Sequence, residues 1–412
     1  MTPAVRRPLR IVSLSCIYPT ADEPQRGVFV RARLAALAQL TELRVVAPVG
    51  LIRWGANGLF GGAHPKRRVD HGMQVLYPRW FYAPNDSWLN GILLFLQLLP
   101  RFAALRRSFD WDLLDAHFGH PAGIAAALLA ALCKRPFAVT LRGNELEHAR
   151  TGLRRKLLGW ALRRSSRVLA VSTELQELAC ALGVAPSRTA VSLNGVDTTL
   201  FRPGNRAESR SKLGLGQELV IVLSVASLIP RKRILDVLDA VVDLLPSWPQ
   251  LRLVIAGGDG VGERAYAQEV RRRSELPTWQ GKVILLGEIT QEALVEWMNA
   301  ADLLCLASER EGCPNAVLES LACGLPVVAT PVGAIPDLLP STDLGIVVET
   351  RNPAALAQAL REALTRDWDR RVIADWGHAR DWESVAAELL PLFEAAVEEE
   401  RTNTRRNLWT SR

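Results

Sequence analysis

Long apolar runs are missing from this 412-residue chain. Without about twenty consecutive apolar residues, no helix is expected to span a bilayer. Cysteine is sparse and never arranged as C-x-x-C; Cys16, Cys133, Cys180, Cys305, Cys313 and Cys323 read as small core residues. That usage implies a reducing compartment. No secretory leader is evident: the apolar run in MTPAVRRPLRIVSLSC is a strand's length, and Arg10 to Cys16 fits a first β-strand. The expected location is therefore cytoplasmic. Acid is scarce in the first half: residues 1–205 hold 27 Lys and Arg against 13 Asp and Glu, net +14, whereas the remainder holds 23 against 30, net −7. So lopsided a distribution predicts an anionic partner for the first half. No nucleic-acid motif accompanies the charge, so nucleic acid is not the expected partner.

What is present centres on Ser308 to Gly333, SEREGCPNAVLESLACGLPVVATPVG. Two carboxylates, Glu311 and Glu319, stand with seven residues between them. Glu311 follows the apolar strand 303–306, Pro314 suits the first turn of a helix, and Gly324 suits the position just past its end. Residues 326–329 then read as the next buried parallel strand. A polar loop at the carboxyl end of such a strand is where open α/β sheets bind ligands. Carboxylates accept hydrogen bonds from hydroxyls, and backbone N–H groups such as those of Cys313 and Asn315 donate to anions. The pattern thus predicts a ligand rich in hydroxyl groups and phosphate.

Elsewhere, strand and helix patterns alternate. Strands are expected at 11–15, 43–47, 113–116, 137–140, 168–171, 220–225, 253–256, 283–286 and 345–348. Residues 50–72, rich in Gly and Arg, read as a long, mobile surface loop. Trp88–Arg107 and Leu153–Arg167 are basic and apolar by turns, and suit either core helices or helices lying on an anionic bilayer. His117 and His120 follow the strand at 113–116. Asp110-Trp111-Asp112 is a D-x-D triplet at the start of that strand and reads as coincidence rather than a metal site. In the second half, Ser227 to Arg233 (SLIPRKR) is a basic run before a helix, and Gly257 to Gly260 is a glycine-rich turn.

The E-x7-E string, together with Asn194-Gly195-Val196-Asp197 and Phe201-Arg202-Pro203, closely resembles the retaining, nucleotide-sugar-dependent glycosyltransferases of family 4, also called glycosyl transferases group 1. The resemblance implies an α/β protein of GT-B fold: two Rossmann-like domains facing across a cleft, with a C-terminal helix crossing back to the first. The expected boundaries are 1–205 for an acceptor-binding domain, 206–374 for a nucleotide-sugar-binding domain, 375–400 for the returning helix and 401–412 for a mobile tail. By resemblance Glu319 holds the ribose, while Glu311, Gly312, Cys313, Pro314 and Asn315 hold the donor sugar. Lys232 and Arg231 grip the diphosphate, Gly287, Glu288 and Ile289 meet the nucleobase, and Gly27 also contributes to the donor. His117 stands near the reacting carbon. Two departures stand out: the family's usual Arg is Ser227 here, and the Gly after its Lys is Arg233.

The implied activity is metal-independent transfer from a UDP- or GDP-linked sugar, with no other cofactor, to a glycan or lipid-linked acceptor. Cell-envelope, exopolysaccharide or lipopolysaccharide biosynthesis is the expected setting, on the inner face of the membrane. The rival readings are a non-catalytic sugar-nucleotide-binding protein and another GT-B enzyme, such as a sugar-nucleotide epimerase. A glycan phosphorylase would need a pyridoxal phosphate lysine, for which no motif is seen.

Overall fold

Short Val-, Leu- and Ala-rich runs become strands covered on both faces, as parallel sheets require. The computed structural model describes residues 7–51, 65–84, 86–150, 152–260, 262–279, 281–349 and 352–410, and of 403–410 the backbone only. The chain divides into two compact units, Met1–Asn194 with Trp382–Arg412, and Gly195–Asp381.

In the first unit the strands are Arg10–Ser15 (β1), Glu42–Val46 (β2), Val49–Gly50 (β3), Arg67–Asp70 (β4), Met73–Leu76 (β5), Arg79–Trp80 (β6), Leu113–His117 (β7), Phe137–Leu141 (β8), Arg167–Ala170 (β9) and Thr189–Val191 (β10). Among the described residues the main sheet runs β10-β9-β8-β7-β1-β2-β5-β4. It is parallel except for the β4–β5 hairpin, and β3 pairs with β6 apart from it. The region expected to be one long loop is thus partly strand: β4 and β5 join through a turn at His71 and Gly72, while 52–64 lie outside the described residues. Strand order reverses between β1 and β7, where Ser15 and His117 are register partners. The loops leaving these two strands diverge and open a crevice, the switch point of a doubly wound sheet.

Trp382–Thr410 is a helix of this unit. It buries Trp382, Val385, Ala386, Leu389, Phe393, Ala396 and Val397, spaced three and four residues apart, in the same core as the Val28–Ala38 helix. Each buried large side chain contributes about 1.5–3 kcal/mol. Arg167 adds a two-pronged pair with Glu399, one prong at 2.8 Å. Backbone helix continues to Thr410.

The second unit contains Val220–Val225 (β11), Leu251–Ala256 (β12), Val283–Gly287 (β13), Leu303–Leu306 (β14), Val327–Ala329 (β15) and Gly345–Val347 (β16). All pair in parallel, in the order β13-β12-β11-β14-β15-β16, so its switch point lies between β11 and β14. The boundary between units falls at Asn194, not near 205. Asn194 accepts from Arg142 in the first unit at 3.0 Å. Beyond it, Val196 N–H bonds Arg380 C=O at 3.0 Å and Gly204 N–H bonds Asn299 Oδ1 at 2.7 Å, both in the second unit. The stretch from 375 is likewise two helices: Arg370–His378 stays with the second unit, and the returning helix starts at Trp382.

Of the two basic segments, Asn90–Ser108 turns Leu94, Leu98, Phe102 and Leu105 into the core, as an i, i+4, i+8, i+11 stripe does. Its outer face keeps Leu96 (53% exposed) and Arg101 in solvent. Gly152–Arg164 buries Leu158, Gly159, Ala161 and Leu162 and exposes Leu153, Arg155 and Lys156. No described helix is long and apolar enough to cross a membrane.

Candidate functional site

In the second unit every residue singled out from the sequence lies at the carboxyl edge of the sheet or on the helix that follows it. The loop after β11 carries Arg231 and Lys232 in a single helical turn, and the loop after β14 carries Glu311. These loops flank the switch point, and their charges meet there. Lys232 Nζ pairs with Glu311 Oε1, Ser308 Oγ donates to the same oxygen at 2.5 Å, and Arg231 Nη1 lies 3.7 Å from Oε2. Backbone ties hold the two loops in register: Glu309 N–H donates to Arg231 C=O at 2.7 Å, and Arg231 Nη1 donates to Arg310 C=O at 3.3 Å. Glu311 is buried and Lys232 nearly so, whereas Arg231 is 45% exposed.

The family's glycine position after the lysine keeps the left-handed backbone here. Arg233 sits at φ 54° and pairs with Asp236 at 2.7 Å. Such a conformation costs a non-glycine residue roughly 1–2 kcal/mol. Ser227, at the usual Arg position, is exposed. Arg231 instead brings a guanidinium to the Glu311 carboxylate.

Gly312, Cys313 and Pro314 lead from Glu311 into the Asn315–Ala322 helix. Pro314 has extended backbone (φ −73°, ψ 109°) and stands just before the helix rather than in its first turn. Gly333 sits at φ 57° against this loop; a Cβ there would lie 2.5 Å from the Gly312 carbonyl and 2.6 Å from that of Glu311. Ala334 N–H then donates to Gly312 C=O at 2.8 Å. Only glycine allows so close an approach.

Glu319, in mid-helix, is half-buried, and its carboxylate makes no hydrogen bond or ion pair among the described residues. Burial pushes it up to about 7. A carboxylate left unpaired is an acceptor for hydroxyl groups. Gly287, Glu288 and Ile289 end β13 on the same edge, with Gly287 and Glu288 exposed; Gly257 N–H donates to Gly287 C=O at 2.8 Å.

The first unit assembles a different centre at its own switch point. Gly27 opens the Val28–Ala38 helix at φ 72°, where a Cβ would lie 2.7 Å from the Ile17 carbonyl. His117 ends β7, a strand buried along its whole length. Arg142, arriving after β8, donates through Nε and Nη2 to His117 Nδ1 at 3.1 and 3.0 Å, and through Nη1 to Asn194. Guanidinium only donates, so Nδ1 is an acceptor and the proton is on Nε2, 3.0 Å from Asp115 Oδ2. Burial pushes His117 down to about 4, with Asp115 opposing and Arg142 reinforcing the shift. Burial favours the neutral form of Asp115, but His117, Arg33 and Ser13 hold it down at about 2. His117 is therefore a neutral, enclosed imidazole with both nitrogens faced by protein. That differs from the sequence expectation of a histidine offered to a reacting carbon: its contact here is with Arg142, whose guanidinium lies over the Phe29 ring.

The string from Thr140 to Glu145 that leaves β8 holds this centre together. Glu145 Oε1 accepts from Gly119 N–H at 2.7 Å, and Oε2 accepts from Arg142 and Gly143 N–H at 3.0 and 2.8 Å. A fully buried carboxylate needs such donors. The signal in that string was the acid two residues past Gly143, whereas Ser308, three residues before Glu311, had no spacing to flag it. Asp112, from the D-x-D triplet, is consumed by structure: it accepts from Arg7 at 2.8 Å and from Arg10 N–H at 3.1 Å.

Comparison with known proteins agrees with this geometry. Residues 205–378 match the family model of glycosyl transferases group 1, and residues 59–200 that of Glycosyltransferase Family 4. A Bacillus subtilis protein named for teichuronic acid biosynthesis, the glycosyltransferase TuaC, is 28% identical over 378 residues, 87% of this chain and 89% of its own. A D-inositol 3-phosphate glycosyltransferase of Geodermatophilus obscurus is 32% identical over 239 residues, and that match spans 55% of this chain and 51% of the relative. Among solved structures, Anabaena Alr3699/HepE in complex with UDP superposes with a TM-score of 0.73 at 18% identity, covering 94% of this chain and 100% of that one. Two sheets of this topology, the E-x7-E loop at one switch point and these matches together establish that the chain belongs to the family 4 glycosyltransferases and has the GT-B fold.

Proposed function

We propose that the second unit binds a nucleotide-linked sugar and that the enzyme transfers this sugar, with retained anomeric configuration, to a hydroxyl of a glycan or lipid-linked acceptor. The observation that carries the reading is the meeting of Lys232 and Arg231 with Glu311 at the switch point, with the unpaired carboxylate of Glu319 on the helix that follows the same loop. In this reading Glu319 accepts from the ribose hydroxyls. Glu311, with the backbone of Gly312, Cys313, Pro314 and Asn315, holds the sugar, and Gly287, Glu288 and Ile289 line the base. Negative charge grows on the departing diphosphate, and preorganised positive groups aimed at it lower the barrier. Lys232 and Arg231 supply that charge, so the transfer needs no metal at the diphosphate. The acceptor hydroxyl gives its proton to the leaving phosphate oxygen on the same face, and no side-chain nucleophile is required. UDP is the favoured nucleotide, because HepE has been solved with UDP and with UDP-glucose; a GDP-linked donor is the alternative.

Building a cell-envelope polysaccharide at the inner membrane surface fits the relative named for teichuronic acid and the basic first unit. Phe81, Trp88, Leu89, Leu96 and Leu153 are exposed there, as are Arg155 and Lys156. The test is product chemistry. Given its UDP-sugar and an acceptor, the enzyme should yield a glycoside whose anomeric configuration, read by NMR, matches the donor's. An inverted product overturns the mechanism. Exposed Ser227 favours one rival, a protein that binds the sugar nucleotide without turning it over. Tight nucleotide binding with no transfer to any acceptor would select that rival.

A further inference from the structure

We propose that Asp86, His120 and His148 form a binding site for one divalent transition-metal ion, zinc by its ligand chemistry, in the first unit. The three come from separate segments: the loop before the Asn90–Ser108 helix, the turn after β7, and the short Glu145–His148 helix after β8. One ligand atom from each lies within 4.8 Å of the other two. His120 Nδ1 is 3.5 Å from Asp86 Oδ1, and His148 Nε2 is 3.4 Å from Asp86 Oδ2.

Those separations decide between two accounts. Charge-assisted hydrogen bonds between nitrogen and carboxylate measure roughly 2.7–2.9 Å, so both contacts are long for an Asp–His hydrogen-bond array. In a tetrahedral site with ligands at about 2.0–2.1 Å, neighbouring ligand atoms stand about 3.3 Å apart. The two His–Asp separations are close to the second figure, and the third pair of ligand atoms, within 4.8 Å, would draw together on the ion.

Both ring nitrogens of His120 are buried and lack a hydrogen-bond partner, an arrangement native interiors rarely tolerate. A metal ion would satisfy one of them. Asp86 is 54% exposed, which turns the remaining coordination position toward solvent or a bound molecule. Two imidazoles and a carboxylate with one open position are a zinc-type donor set. Arg154 Nη1 lies 4.0 Å from Asp86 Oδ2, a like charge to the ion, on a partly exposed side chain. Such a metal would tie three loops of the first unit together. It takes no part in holding the diphosphate, so the proposal stands or falls apart from the donor reading.

The test uses the full-length, tag-free chain stripped with EDTA. Titration with Zn²⁺ against a chromophoric chelator should show one equivalent taken up, and Co²⁺ in its place should give the intense visible absorption of a tetrahedral site. Zinc at a hundredfold excess over its Kd should raise the melting temperature. Asp86→Asn and His120→Gln, checked for folding by circular dichroism, should each weaken uptake by more than about a hundredfold, beyond the loss seen for outer partners of metal ligands. No stoichiometric uptake by the wild-type chain overturns the proposal, whatever the variants do. So does uptake that the folded variants retain.

Discussion

Lys232 and Glu311 pair across the switch point of the second unit, with Ser308 donating to the same carboxylate oxygen. The ammonium is thereby held in place before any ligand arrives. Because charge on a leaving diphosphate is greatest in the transition state, Lys232→Met should lower kcat more than donor affinity. The expected loss is about 10²–10³ in kcat, the scale for removing one preorganised donor. Separate measurement of kcat and of donor Kd checks this. A fall in affinity with turnover intact would limit Lys232 to ground-state binding. Arg231→Ala should cost less, since its guanidinium is more exposed and farther from Glu311; unchanged activity would remove it from the site.

Glu319 makes a two-sided prediction. Its folded-state value of about 7 lies above the usual 4.5, so the folded protein holds a proton that the unfolded chain has released. Stability from this group is therefore full below about pH 4.5 and is lost as pH rises through about 7. Glu319→Gln should raise stability by about 1–3 kcal/mol at pH 8 and leave it unchanged near pH 4. The same variant should bind nucleotide more weakly, by about 1.5–3 kcal/mol for a lost charge-assisted bond. Denaturant melts at the two pH values, with calorimetry alongside, check both. A variant that is destabilised at pH 8 contradicts the burial argument.

His117 behaves in the opposite sense. Its value drops from 6.5 to about 4, so the unfolded state binds the proton first, and stability is lost as pH falls from about 6.5 through about 4. His117→Gln should flatten the stability profile over that window, up to about 3 kcal/mol. A wild-type profile already flat between pH 6.5 and 4 would count against the enclosed, neutral imidazole.

Much of this was legible in the sequence, and particular residues show where legibility stopped. Glu311, Glu319, Pro314 and Gly324 announced their loop and helix because caps and spacings are local. Lys232 could be placed before its helix, but not its pairing with Glu311, which joins residues 79 apart in sequence. His117 was located at its strand end, yet its enclosure depends on Arg142 and Asp115, whose side chains converge only when β7 and β8 lie side by side. The boundary at Asn194 was missed by about ten residues. Pro203 and Gly204 look like a linker, but Asn299 holds that turn to the second unit. The strand Arg67–Asp70 was missed because its three exposed residues leave no apolar alternation.

The basic first unit predicts salt-sensitive attachment to anionic membranes. A basic residue near such a surface contributes about 1 kcal/mol, and screening shortens its reach from about 10 Å at 0.1 M salt to about 3 Å at 1 M. The protein should sediment with anionic vesicles at low salt, release at high salt, and ignore neutral vesicles. Leu96→Glu, on the outer face of its helix, should weaken the attachment. Recovery in the supernatant with anionic vesicles at low salt would remove the membrane from the account and leave the transferase standing.

The most direct test of the central claim is calorimetric titration of the full chain with UDP and GDP and their sugars, repeated on Lys232→Met and Glu319→Gln. The account predicts saturable one-to-one binding of one nucleotide family to the wild type, weakened at least tenfold in Glu319→Gln. Failure to bind any nucleotide, or equal affinity in the wild type and a folded Glu319→Gln, would contradict the placement of the donor on the E-x7-E edge of the second unit.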